Sequence, residues 1–72
     1  MNIYAKSGHK VVVTEEGMRS GYEPHIAIAK QYLTVGKVYT VDRTVVDNYH
    51  TDVFLQEIPG VAFNSVHFED AK

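Results

Sequence analysis

The chain reads as a mainly β domain: five short strands curled into a small, highly curved barrel, with an insertion, helical or extended, between the first two strands. Three observations predict this. β-Branched and aromatic residues gather in short runs, and Gly, Pro, Asn and Ser punctuate those runs. The whole has 72 residues, so a sheet of that many strands must close tightly on its own core.

Lys10-Val11-Val12-Val13-Thr14 is the first strand, and Glu15-Glu16-Gly17 reads as the turn that closes it. Gly17 to Glu23, with two glycines and a serine, reads as a loop ended by Pro24. Pro24 suits the first position of a helix, where its missing N–H has no partner to lose, and Glu23 would complement the helix dipole. Ile26, Ala29, Tyr32 and Leu33 then fall on one helical face. An extended hairpin with Ile26 and Ile28 on one side competes with that helix. Gly36 breaks the chain, and Lys37 to Val45 reads as a long strand. Asp47 to His50 turns, Asp52 to Ile58 is the next strand, and Pro59-Gly60 is a turn dipeptide. Val61–Phe63 and Val66–Phe68 read as two last strands around Asn64-Ser65. In this scheme Gly36 redirects the chain so that Tyr39 and Val41 join Phe54, Phe63 and Phe68 in the core.

Composition fits one folded domain over residues 1–72, with its core at about 10–69: 44% of residues are hydrophobic and 22% charged. Without cysteine there is no disulfide, thiol chemistry or thiolate zinc site. The net charge is −2, which gives no general attraction to nucleic acid. The charge is uneven: Lys6, Lys10, Arg19, Lys30 and Lys37 outnumber Glu15, Glu16 and Glu23 before Val38, whereas six acids face only Arg43 and Lys72 after it. No apolar run suits a signal peptide or a membrane span, so a cytoplasmic location without membrane contact is expected.

Leu33-Thr34-Val35-Gly36-Lys37-Val38-Tyr39-Thr40-Val41 resembles the diverging turn and following strand of SH3-like barrels. Gly60 to Phe68 resembles their ending, in which an apolar strand meets a short 3₁₀ turn and a last strand. More closely, the chain is similar to small SH3-like proteins of phages and bacterial mobile elements, in which a GKVYTV strand and an FNSVHFE ending enclose a variable loop. The resemblance covers Lys10 to Glu69. It implies a five-stranded SH3-like barrel, and proteins of this build often act by occupying a host surface. It does not extend to polyproline recognition: there is no tryptophan, and Asn64 and His67 stand where a groove proline and tyrosine would.

Four histidines, His9, His25, His50 and His67, with Asp52 and Glu69, raise the question of a metal. No HxH, HExxH or i, i+4 pair occurs, so packed or surface histidines are the simpler reading and no cofactor is expected. His50-Thr51-Asp52 offers an imidazole beside a carboxylate, but no cysteine and no serine elbow accompanies it. Gly17 to Gly21 has the glycines of a phosphate cradle without the lysine of a P-loop. Tyr22 and Tyr49 fall in loops, where rings near Arg19 or Arg43 suit binding as well as packing. The expectation is a non-enzymatic binding module that meets a protein partner through Arg19, Tyr22, Arg43, Tyr49 and His50. The alternative is nucleic-acid binding through Lys6, Lys10, Arg19 and the loop tyrosines. Unpaired strand edges also leave self-association open.

Overall fold

The computed structural model of the chain describes residues 5–71. Met1–Tyr4 and Lys72, the outer ends of the domain expected over 1–72, lie outside the described residues. Strand β1 (Lys10–Val13) leads into helices α1 (Glu15–Arg19) and α2 (Glu23–Tyr32). Then come β2 (Val38–Val46), β3 (Thr51–Leu55), β4 (Ile58–Asn64), a 3₁₀ turn (Ser65–His67) and β5 (Phe68–Asp70). The strands form one antiparallel sheet in the order β4-β3-β2-β1-β5. The protein is mainly β, and its sheet is open, with β4 and β5 at the edges.

Glu15-Glu16-Gly17, expected as a turn, instead begins α1. Thr14 leaves the strand to cap this helix, its hydroxyl accepting the Gly17 N–H at 2.9 Å. Glu15 and Glu16 sit in the first turn, where the helix dipole favours acids. A cap and two well-placed acids outweigh the helix cost of one glycine, about 1 kcal/mol. The expected loop therefore shrinks to the few residues between α1 and α2. Gly17 is also required by contact: a Cβ there would lie 2.4 Å from the His67 carbonyl oxygen. That approach seats α1 on the 3₁₀ turn, where His67 Nδ1 donates to the Gly17 carbonyl at 2.7 Å.

The segment after Pro24 is helical rather than extended. Ala29 and the capping residue Leu33 are buried, Ile26 is half-buried, and Tyr32 is exposed but meets the Phe63 ring edge-on at 6.2 Å. Gly36, at φ +86°, permits the tight turn between α2 and β2, and its N–H donates to Val13 O at 2.8 Å. The turn delivers Tyr39 and Val41 to the core, and the Tyr39 hydroxyl accepts the Thr34 N–H at 2.9 Å.

β2 serves two neighbours in succession. Val38–Thr40 pair with β1 and Val41–Val46 with β3, and the register shifts between Val41 and Arg43. Asp42 is thus an extra residue that bends the strand. Just before the bend, Thr40 is buried beneath polar cover rather than by the core. The Lys10 ammonium donates to its hydroxyl, and the Glu57 carboxylate accepts its N–H at 2.8 and 3.0 Å. Partial burial opposes ionisation of Glu57, but the hydrogen bonds from Thr40, aided by nearby Lys10, prevail and hold this carboxyl below its ordinary range.

Three further expectations are corrected. The β3–β4 turn is Gln56-Glu57, with Leu55 opposite Ile58, and Pro59-Gly60 lies inside β4. β4 is an edge strand, where a proline can stand without removing a ladder hydrogen bond. Val66 and His67 belong to the 3₁₀ turn, and only Phe68 begins a strand. Phe54 is outside the core: Thr51, Val53 and Leu55 point inward, so strand alternation puts Phe54 on the other face, under the Arg43 guanidinium at 4.4 Å. The core consists of Val11, Val13, Met18, Ala29, Leu33, Tyr39, Val41, Val53, Leu55, Phe63 and Phe68.

Candidate functional site

Three segments distant in sequence meet at one end of the sheet: the entry to α2, the β2–β3 loop and the 3₁₀ turn. Between them lies a cleft of about 650 Å³, lined by Gly21, Tyr22, His25, Tyr49, His50, Thr51, Asn64, Ser65 and Val66. The four-residue loop 47–50 is pinned at its base, where Asp47 N–H donates to His50 O at 2.9 Å and the Asp47 carboxylate accepts Asn48 N–H at 2.7 Å. Tyr49, in the loop, is 95% exposed, and Tyr22, in the same lining, is 67% exposed. Singly exposed rings are ordinary, but an exposed apolar patch is what marks an interaction surface.

The cleft wall is a chain of ring contacts. Tyr22 meets His25 edge-on at 5.4 Å, and His25 meets His50 at 4.8 Å. Each histidine is held from behind by a different polar group. His50 Nε2 lies 2.8 Å from Asp52 Oδ1, so this nitrogen donates to the carboxylate. His25 Nδ1 lies 3.1 Å from Asn64 Nδ2, and Asn64 Oδ1 accepts the Val66 N–H at 3.1 Å. Asn64 thereby caps the 3₁₀ turn and ties it to α2.

Among the described residues no lysine or arginine lines this cleft. A second hollow shares Ser65 and Val66 with it and carries Glu16 and Glu69, so that neighbouring hollow is acidic.

Of the five residues expected to bind, Tyr22, Tyr49 and His50 come together here. Arg19 lines a separate hollow beside Met18, Glu23 and Lys30, and Arg43 covers Phe54. Lys10 is engaged with Thr40, and Lys6 is exposed on the segment before β1. The suggested phosphate cradle is taken up by the helix: Ser20 donates its N–H to Gly17 O and its hydroxyl to Glu16 O. Sequence reasoning missed His25, Asn64 and Val66 as partners in the cleft. The signal for the first was its place directly after Pro24, in the first turn of a helix. The signal for the other two was Asn64-Ser65 as the start of a capped 3₁₀ turn.

Among the described residues no three His, Asp or Glu side chains converge as metal ligands. His9 pairs with Asp70 at 2.8 Å, and His67 is fully buried on Gly17. No helix of the described residues is long and apolar enough to cross a membrane.

No curated protein and no solved structure matches the chain. One family does match, over residues 2–72, nearly the full length. The chain belongs to the family described as Bacteriophage T4 protein Y07B.

Proposed function

We propose that this phage-family protein is a non-enzymatic binding module that docks an extended segment of a protein partner in the aromatic cleft. The observation that carries this reading is the exposure of two tyrosines, Tyr22 and Tyr49, in the lining of one cleft. Aromatic rings in a concave, partly desolvated setting are the commonest anchors of protein interfaces. Among the described residues no lysine or arginine lines the cleft, which argues against a phosphate backbone, and the acidic residues after Val38 favour a basic segment.

In this reading the sheet is an open SH3-like barrel working in the cytoplasm. Three features support that fold assignment: the strand order, a β2 shared by both halves of the sheet, and a 3₁₀ turn between β4 and β5. The insertion between β1 and β2 is then the variable part, and it supplies Tyr22 and His25.

The test pairs capture from host extract with stability measurement, comparing the wild-type chain with a Tyr22→Ala, Tyr49→Ala double variant. A protein retained by the wild type should be lost by the variant at an unchanged melting temperature, since both rings are exposed. Equal retention by both chains overturns the reading. So does a salt-sensitive gel shift with nucleic acid that the two tyrosines control.

A further inference from the structure

Which atoms of the docked segment the cleft reads follows from how Asn64 is held. Asn64 Oδ1 accepts the Val66 backbone N–H, a group that can only donate. The amide orientation is thereby fixed, and Nδ2, a donor, faces His25 Nδ1 at 3.1 Å. A donor on that side requires Nδ1 to be the bare acceptor nitrogen. The proton of the neutral imidazole then sits on Nε2. Among the described residues Nε2 has no partner, and it is not sealed from solvent, whereas His67 Nε2 is. The other groups around the ring are Tyr22, met edge-on, and His50, whose own Nε2 is committed to Asp52.

The geometry assigns to His25 Nε2–H the role of a fixed hydrogen-bond donor in the cleft, set by Asn64, that reads a backbone carbonyl of the docked peptide segment. This rests on the proposed peptide docking and adds its polar term. The rings of Tyr22 and Tyr49 supply apolar contact without direction. An oriented N–H supplies direction, because a carbonyl must arrive at one point in the cleft and approach it along the N–H. A peptide can offer such a carbonyl from any residue, and it is a neutral acceptor suited to a lining that holds no lysine or arginine among the described residues.

The arrangement can be inverted by one substitution that keeps the acceptor of the 3₁₀ cap. Asn64→Asp keeps an oxygen for the Val66 N–H but replaces the amide donor with a second acceptor. In the neutral ring His25 then carries its proton on Nδ1, which strips the cleft of the donor; a doubly protonated ring, which a nitrogen-15 spectrum identifies, is titrated away by raising the pH further. Nitrogen-15 NMR of the ring at pH 8, above the ordinary imidazole range, reads the tautomer in the unliganded protein. Heptapeptides selected on the wild type from a random library serve as the binding probe.

The wild type should show the Nε2–H tautomer and Asn64→Asp the Nδ1–H tautomer. The selected peptides should bind the variant at least about tenfold more weakly, as expected when a hydrogen bond is lost and its acceptor is left facing a lone pair. A wild-type Nδ1–H tautomer overturns the assignment whether or not peptides bind. Equal affinity in the tautomer-inverted variant overturns the carbonyl-reading role. Failure to select any peptide, with Nε2–H in place, overturns the peptide docking on which the role rests.

Discussion

Gly17 shows how one missing methyl group can decide a packing arrangement. Its backbone lies in ordinary helical space, so alanine would gain about 1 kcal/mol of helix propensity. The same alanine would drive Cβ to 2.4 Å from the His67 carbonyl oxygen and 2.7 Å from its carbon, both backbone atoms that cannot rotate away. Overpacking of this kind costs about 1–3 kcal/mol or more, so contact prevails over propensity. A 2.4 Å approach to backbone belongs at the upper end of that range, so after the propensity gain Gly17→Ala is expected to lower unfolding free energy by about 2 kcal/mol in urea titration, and an unchanged midpoint would contradict the seam between α1 and the 3₁₀ turn. The phenylalanines divide in the same way. Phe63→Ala removes a buried ring and should cost about 3–5 kcal/mol. Phe54→Ala removes a ring that is only half-buried, beneath Arg43, and should cost clearly less. Equal losses would place Phe54 in the core after all.

At the scale of elements, the Gln56-Glu57 turn is held by more than its own backbone. Glu57 reaches back to the Thr40 N–H on β2, just before that strand bends. Because its carboxyl is held below the unfolded value of about 4.3, its contribution to stability is complete above that value and fades as pH falls through the lower, folded one. Glu57→Gln should therefore lose stability at neutral pH and show a flatter decline below about pH 4.3 than the wild type. Parallel acid titrations followed by circular dichroism would show it, and identical slopes would remove Glu57 from the account. This turn also shows what the sequence concealed. Leu55 to Ile58 holds no glycine, asparagine or proline at its tip, whereas Pro59-Gly60 carries strong turn chemistry inside an edge strand. Local residue preference pointed three positions too far along, and only the pairing of Leu55 with Ile58 corrects it. Helix α1 was hidden for a related reason: Thr14, Glu15 and Glu16 carry a helix-start signal, and Gly17 masks it unless the approach of His67 is known.

At the scale of the molecule, the β-rich order and most strand positions are legible, because inward residues alternate with outward ones along β1 (Val11, Val13) and β3 (Thr51, Val53, Leu55). The two loops that would meet across a cleft were legible as loops, and Tyr22, Tyr49 and His50 were named from them. Their third wall was not, since Asn64 and Val66 enter the site only through a chain reversal that the order of residues does not display. Arg19 and Arg43 are expected there because they stand near the loop tyrosines in the sequence, but one lines a separate hollow and the other covers Phe54.

β1 lies between β2 and β5, so Val13 finds Phe68 only at the far end of the chain. During synthesis, then, the first strand waits half-matched while the ribosome makes the rest of the sheet. Until Phe68–Asp70 have emerged, one flank of Val11–Val13 is bare and open to proteases or to other nascent chains. Contacts this distant also make for slow closure, so the interval of exposure is set by translation speed as much as by the fold.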